Sequence, residues 1–263
     1  MTPLALGFAT YAPGELPALD PREAALPGRI DLWAFALDTP APTEAWLARL
    51  SRAERDRAAR FVRDRDRHRF AVSHAVLRAI LARYLDVAPD EVAIETEEHG
   101  KPRLGPAHAG AGIEFNLAHS HGGALVGVGR GHRLGVDLEL ASDTLETAAL
   151  ARRFFTSREC AVIAAGRPGE RARFYRHWVA KEAVLKAHGG GLSIPLHDVE
   201  IVFAGDDRAG VRSRDPQAPG THWTLRMVEG PGGWHAAVAS SGAAWEATFM
   251  TRGDPPATAD LRA

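Results

Sequence analysis

"RHWVAKEAVLKA", residues 176 to 187, lines up without a gap on "HRFAVSHAVLRA", residues 68 to 79. Phe70 falls on Trp178, Arg78 on Lys186, and Ala-Val-Leu on Ala-Val-Leu. Upstream, "RFV" starting at Arg60 and "RFF" starting at Arg153 stand in the same order, with an insertion in the second copy. Two matches in order indicate a duplicated α+β unit, and a spacing of about 100 residues is too long for a solenoid. The expected fold class is therefore α+β, with two similar halves related by a pseudo-twofold axis and a cleft between them. Ser73 and His74 stand where the second copy has Lys181 and Glu182, so the chemistry of such a cleft would be asymmetric.

At about 100° per residue, Val179, Ala180, Ala183, Val184 and Ala187 gather on one side of the second helix. Trp178, Lys181, Glu182, Leu185 and Lys186 share the other. A helix with apolar groups on both sides is covered on both, which turns the charges toward a cleft. Taken alone, Glu182 and Lys186 equally suit an exposed (i, i+4) pair worth a few tenths of a kcal/mol.

Residues 1–28, rich in Pro, Gly and Ala, read as an extension with little regular structure. The N-terminal half runs over 29–134 and the C-terminal half over 135–250, followed by a disordered tail, 251–263. "RIDLWAFALD" (29–38) predicts a strand, and Thr43 a cap for the short helix "TEAWLARL". Ser51 with Glu54, and Thr156 with Glu159, form capping boxes. Long helices are expected over Asp64–Leu85 and about Glu170–His188, the second stopped by Gly189 to Gly191. "GIEFNLAHS", "GALVGVGR" and "RLGVDLEL" read as strands, the last two joined as a hairpin through "GRGH". Short strands follow near 198–203, 222–228, 234–239 and 245–249.

In "GVDLE", Asp137 and Glu139 are two apart, so on a strand they share a face about 7 Å apart. Alone they would be an exposed strand face. Together with Lys-Glu-x-x-x-Lys on the helix, they give three carboxylates for a hard cation such as Mg²⁺ and two lysines for phosphate oxygens. That combination describes phosphoryl or pyrophosphate chemistry.

"GVDLE" followed about forty residues later by "WVAKEAVLKA" resembles the 4'-phosphopantetheinyl transferase family, in particular its two-halved Sfp-type members. "HGKPRL" (99–104), "FNLAHSHG" (115–122) and "GGGLSIPL" (189–196) support the resemblance, which spans roughly 29–240. It implies transfer of the 4'-phosphopantetheine arm of coenzyme A to a serine of an acyl, aryl or peptidyl carrier protein, with release of adenosine 3',5'-bisphosphate. It implies Mg²⁺, with Mn²⁺ as the alternative, held by Asp137, Glu139 and Glu182. Lys186 and Lys181 would contact phosphate, and Glu182 is the candidate base for the carrier serine. Lys101 and Pro102 would lie by the coenzyme A phosphates, His119 at the 3'-phosphate, and Arg57 and Arg69 at basic positions of the nucleotide site. Relatives often have serine before this histidine; here Ala118 removes that hydroxyl, and Ser120 or His121 is the candidate replacement. A frequent lysine is here Glu54, which the capping box explains. Arg63, Arg65 and Arg67 read as a solvated helix face.

The remaining features bound the function. With 32 basic and 33 acidic residues the net charge is −1, without the basic excess of a nucleic-acid binder. No apolar run reaches the length of a membrane helix. "MTPLALGFATYAPGELP" is a poor signal peptide, and a lone Cys160 fits a reducing cytoplasm and a packing role. A monomer is expected, because the duplication supplies the second half within one chain. "HGGG" (188–191) looks like a lipase oxyanion loop but follows a helix, and no G-x-S-x-G accompanies it. "GVGRGHRLG" precedes a strand, unlike a nucleotide-binding glycine loop. His119 and His121 lack a third soft metal ligand. The rival readings are a metal-dependent pyrophosphate hydrolase and a non-catalytic coenzyme A-binding module.

Overall fold

The computed structural model describes residues 4–15, 27–165, 169–190, 194–206, 208–213, 223–241 and 245–250. After a short strand β1 (Leu4–Ala5), the first half comprises β2 (Arg29–Ala36), α1 (Thr43–Leu47), α2 (Arg52–Ala58), α3 (Asp64–Leu85), β3 (Ile94–Thr96), β4 (Pro102–Leu104), β5 (Ile113–Ser120) and β6 (Gly123–Arg130). The second repeats it as β7 (Leu134–Leu140), α4 (Thr147–Phe154), α5 (Ser157–Ala164), α6 (Glu170–His188), β8 (Val199–Phe203), β9 (Arg208–Ser213), β10 (Trp223–Glu229) and β11 (Trp234–Ser241). A last strand, β12 (Glu246–Phe249), closes the described chain. Each half is thus a strand, three helices, a hairpin and two further strands. The sheet orders agree as well: β2-β6-β5 in one half, β7-β11-β10 in the other. The halves differ at the hairpin, since β8 and β9 extend the second sheet while β3 and β4 pair only with each other.

Four layers result, helix on sheet on sheet on helix. Successive side chains on a strand face opposite ways, and these strands are apolar on both faces. Trp33, Phe35, Phe115, Val126 and Val128 pack against Phe70, Leu77, Ile80 and Leu81 of α3. The opposite faces meet between the sheets, where Ile30, Leu32 and Leu125 join Leu134, Val136, Leu138 and Val238. Ala237, Ala239 and Leu225 cover Val179, Ala183 and Val184 of α6. Both long helices have the bounds expected from periodicity, ending at Asp86 (φ 54°) and Gly189 (φ 83°) in the left-handed region. Both capping boxes are formed.

Several expectations are corrected. The extension is not structureless over its first residues: β1 pairs in parallel with β10, Ala9 bridges Phe35, and Leu6 and Phe8 are buried between the sheets. "GRGH" joins no hairpin. Its flanking strands β6 and β7 lie in different sheets, and β7 pairs instead with β11. Both strands carry apolar residues for a sandwich interior, so the link crosses between layers. Pro42, not Thr43, occupies the cap of α1, and Thr43 Oγ1 bonds His68 Nδ1 at 2.9 Å. Strand β12 runs parallel to β2, so residues 246–249 belong to the first half's sheet despite their position in sequence. Strand β9, "RAGVRS", lacks the apolar alternation that would have revealed it. The expected tail, 251–263, and Gly191 lie outside the described residues.

Candidate active site between strand β7 and helix α6

Parity on β7 sends Leu134, Val136, Leu138 and Leu140 between the sheets, leaving Gly135, Asp137 and Glu139 toward α6. Gly135 is required there by close approach. A Cβ would stand 2.2 Å from the Ala183 carbonyl oxygen and 2.3 Å from the Ala187 nitrogen. The helix thus lies directly on the strand, one turn from the carboxylates. Gly135→Ala should cost about 3 kcal/mol or more, on the scale of severe overpacking, and urea denaturation of the variant measures it.

Asp137 is 4 % exposed. One of its oxygens accepts from Lys186 Nζ at 2.6 Å, and the other, Oδ2, is buried with no partner. Glu139 accepts from Ser120 Oγ at 2.6 Å, and Ser120 also meets His121 Nδ1 at 3.0 Å. Burial pushes the Glu139 carboxyl up to about 7; the Ser120 hydrogen bond and Lys186 oppose the rise, while Asp137 and Glu182 add to it. Burial, then the charge of Asp137, also raises Glu182. Lys186 is held above its ordinary range because Asp137, Glu182 and Glu139 outweigh its burial. One ammonium therefore serves three crowded carboxylates.

A cleft of about 280 Å³ opens beside this cluster, lined by Lys101, Pro102, Asn116, Leu117, Glu182 and Lys186 among others. Both halves contribute to it. Lys101 Nζ donates to the Leu134 carbonyl at 3.0 Å and to that of Ala187, in the last turn of α6, at 3.4 Å. Burial lowers its pKa. Pro102 starts β4 opposite Thr96, which fixes the turn that carries Lys101. His119 is exposed near the end of β5 in a recess where partial desolvation, then the charges of Lys186 and His74, lower its pKa, with Arg57 adding to them. Lys186, His74 and Arg57 thus all bring charge to bear on His119. Asn116, which sequence reasoning passed over, is buried and accepts from Val136 N at 2.9 Å, tying β5 to β7 beside Asp137. A lone amide in "IEFNLA" was the available signal.

The structure separates Lys181 from the others. Lys181, expected at phosphate, is fully buried on the far side of α6 and pairs with Glu159 at 2.8 Å. The turn of the helix that brings Glu182 and Lys186 to the cleft carries Lys181 away from it. Arg69 donates to both oxygens of Asp38 at 2.7 Å, and after burial its charge is the next cause of the lowered pKa of His121, which keeps it beside the end of β5. Arg57 lies on α2 with its guanidinium 5.3 Å from the centre of the Phe70 ring. Cys160 donates to the Ala151 carbonyl at 3.3 Å, a packing position.

Among the described residues, no three histidine, cysteine, aspartate or glutamate side chains form a ready-made metal cage. The donors nevertheless fit a hard cation in kind. All are carboxylate oxygens, one is a buried orphan, and their mutual repulsion is only partly offset by Lys186.

A duplicated α+β chain thus places two lysines and a crowded carboxylate cluster at a cleft between its halves. Sequence comparisons supply the class. A family model described as the 4'-phosphopantetheinyl transferase superfamily matches residues 133–239, and one for the 4'-phosphopantetheinyl transferase N-terminal region matches 39–130. The chain is 36% identical over 232 residues to the 4'-phosphopantetheinyl transferase HetI of Nostoc sp., covering 87% of this chain and 94% of that one. It is 32% identical to a phosphopantetheinyl transferase of Thraustochytrium sp. (77% and 75% covered) and 27% identical to Sfp of Bacillus subtilis (67% and 76% covered). The chain belongs to the 4'-phosphopantetheinyl transferase superfamily and is of the Sfp type.

Proposed function

We propose that the cleft between β7 and α6 moves the 4'-phosphopantetheine arm of coenzyme A to a serine of an acyl, aryl or peptidyl carrier protein. The observation that carries this reading is Asp137. It is buried, bound through one oxygen to Lys186, orphaned at the other, and crowded by Glu139 and Glu182. Asp137, Glu139 and Glu182 would hold Mg²⁺, or Mn²⁺ in its place, directly or through water. When bound, the cation supplies charge neutralisation for the pyrophosphate and its leaving group.

The chain's own residues do the rest. Lys186 lines the cleft and presents its ammonium to a phosphate oxygen. Lys101 and Pro102 flank the same cleft from the first half and hold the coenzyme's phosphates. His119, whose pKa is lowered first by partial desolvation and then by the charges of Lys186 and His74, meets the 3'-phosphate, with Arg57 contributing charge there. Ser120 is committed to Glu139, so it orients that carboxylate and does not replace the hydroxyl missing at Ala118. Glu182, raised in pKa and facing the cleft, takes the serine proton. The protein acts as a monomer in the cytoplasm, with no nucleic acid or membrane partner. No helix among the described residues is long and apolar enough to cross a membrane.

Mass spectrometry of several purified apo carrier proteins, incubated with coenzyme A, Mg²⁺ and this chain, tests the reading. One phosphopantetheine should be added to the carrier, and adenosine 3',5'-bisphosphate released only when carrier is present. Nucleotide release without carrier would establish the pyrophosphate hydrolase. Binding of coenzyme A with no turnover would establish the binding module.

A further inference from the structure

We infer that Lys181 is a positioning residue: together with Glu159 it locks helix α6 in the setting that turns Glu182 and Lys186 toward Asp137, and it touches no phosphate. The inference rests on the transferase reading, but concerns how its site is held in place. Its basis is a closed hydrogen-bond inventory. An ammonium has three donors, and those of Lys181 go to Glu159 Oε2 at 2.8 Å, to the Leu196 carbonyl at 2.8 Å and to the Val199 carbonyl at 2.5 Å. None is left for a ligand. The acceptor is equally filled: Glu159 takes Thr156 N at 2.9 Å through one oxygen and Ile201 N at 2.9 Å through the other. Glu159 is 2 % exposed and Lys181 0 %. The node joins the start of α5, the middle of α6, the turn before β8, and β8 itself. A buried, fully satisfied network of this kind fixes geometry because any shift breaks several bonds at once.

The first half contains the same device, displaced along its helix. Glu54, the capping-box glutamate of α2, binds Arg78 Nε at 2.7 Å and His74 Nδ1 at 3.1 Å. Arg78, buried, also donates to the Pro89 and Val92 carbonyls at 2.9 Å each, in the turn beyond α3. Each long helix is therefore fastened by one cation to the capping-box glutamate of the short helix before it and to two carbonyls after its own end. In the first half the fastening cation is Arg78, which aligns with Lys186. In the second half the task has moved to Lys181, where the first half has only Ser73. That displacement releases Lys186 for the cleft.

Three variants test the lock: Glu159→Gln, Lys181→Met and the double variant. Each is assayed for kcat, for KM of coenzyme A and for thermal unfolding, against a wild type already shown to turn over. Glu159 lies outside the cleft, and glutamine retains an acceptor for Ile201 N. The lock predicts that Glu159→Gln lowers kcat by about tenfold or more with the coenzyme A KM within about twofold, because misplacing reacting groups costs turnover. Lys181→Met, which strands the Glu159 charge, should be worse in both stability and kcat. The double variant should turn over at least about fivefold faster than Lys181→Met, since the stranded charge is gone. A phosphate contact predicts the reverse: Glu159→Gln active as wild type, a raised coenzyme A KM in both variants lacking the lysine, and no rescue. If Lys181→Met does not fold, Glu159→Gln alone decides, and wild-type kcat in that variant overturns the inference. Absence of turnover in wild type would instead remove the transferase reading.

Discussion

Asp137→Asn should abolish phosphopantetheine transfer, by about 10³-fold or more in kcat, while leaving the fold in place. The size follows from removing the buried carboxylate that meets both Lys186 and the proposed cation, at a buried position where such charges act strongly. The fold persists because asparagine keeps an acceptor for the Lys186 ammonium, and because one of three mutually repelling charges is gone. Near-normal kcat at saturating Mg²⁺ would remove Asp137 from the site.

The same variant has a second readout in the pH dependence of stability. The Glu139 carboxyl stands at about 7 in the folded chain against 4.5 as a free group. Folding therefore favours its protonated form. The associated stability is fully present below about pH 4.5 and is lost as pH rises through about 7. Metal-free wild type should accordingly show a falling urea midpoint between pH 5 and pH 8. Asp137→Asn removes one of the charges that raise Glu139, so its decline should be shallower. Mg²⁺ should flatten the decline in wild type and do so much less in the variant. A wild-type midpoint insensitive to pH and to Mg²⁺ would mean that the three carboxylates neither repel one another nor share a cation. Glu54 gives the opposite sign at the other end of the scale. Bonds to His74, Ser51 and Arg78 hold its carboxyl down at about 2 against its burial, so its stabilisation is present above about pH 4.5 and lost as pH falls toward 2.

How far this site could be read from the sequence depends on what each residue's signal was. The bounds of the two long helices were legible from the spacing of their apolar residues and, for α6, from the glycine that ends it, although neither has a side-chain N-cap. The duplication was legible through one helix, and the structure extends it to every element from β2 to β11. The layer assignment was not legible. A strand buried on both faces looks the same whether its neighbour in sequence pairs with it or lies across a sandwich, so "GRGH" suggested a hairpin that does not exist. Register explains how the second half acquired its chemistry. Gly123 pairs with Ala36, and Trp234 with Leu140, so Trp33 and Phe35 of β2 correspond to Asp137 and Glu139 of β7. Two core aromatics under α3 are replaced by two carboxylates under α6. That substitution could not be seen before the strands were paired. Lys181 misled for a related reason: adjacency to Glu182 in sequence suggested a shared role, but about 100° of helical rotation separates neighbours, enough to place one in the core and the other in the cleft.

Glu182→Gln separates the three roles still open to the charge that opens this cleft. Glutamine keeps the shape and one oxygen but loses the charge and the basicity. If Glu182 serves only as a ligand of the cation, raising Mg²⁺ should recover much of the lost rate, since a weakened site can be refilled by mass action. If it also takes the serine proton, saturating metal should leave kcat low by about 10² to 10⁴, the usual worth of a general base. The pH profile then adds an independent mark. Burial and the neighbouring Asp137 raise the Glu182 pKa, and Lys186 only partly opposes them. A base with that environment gives a rate that climbs with pH above the ordinary carboxylate range, and the climb should vanish in the variant. An exposed helix pair predicts neither effect, only a few tenths of a kcal/mol in stability. That third reading already sits poorly with Lys186, whose partner at 2.6 Å is Asp137 on another element. Measuring kcat from pH 5 to pH 9, at saturating coenzyme A, carrier protein and Mg²⁺, assigns the role. Wild-type activity across that range would leave Glu182 as decoration on α6 and shift the search for the base to a metal-bound water.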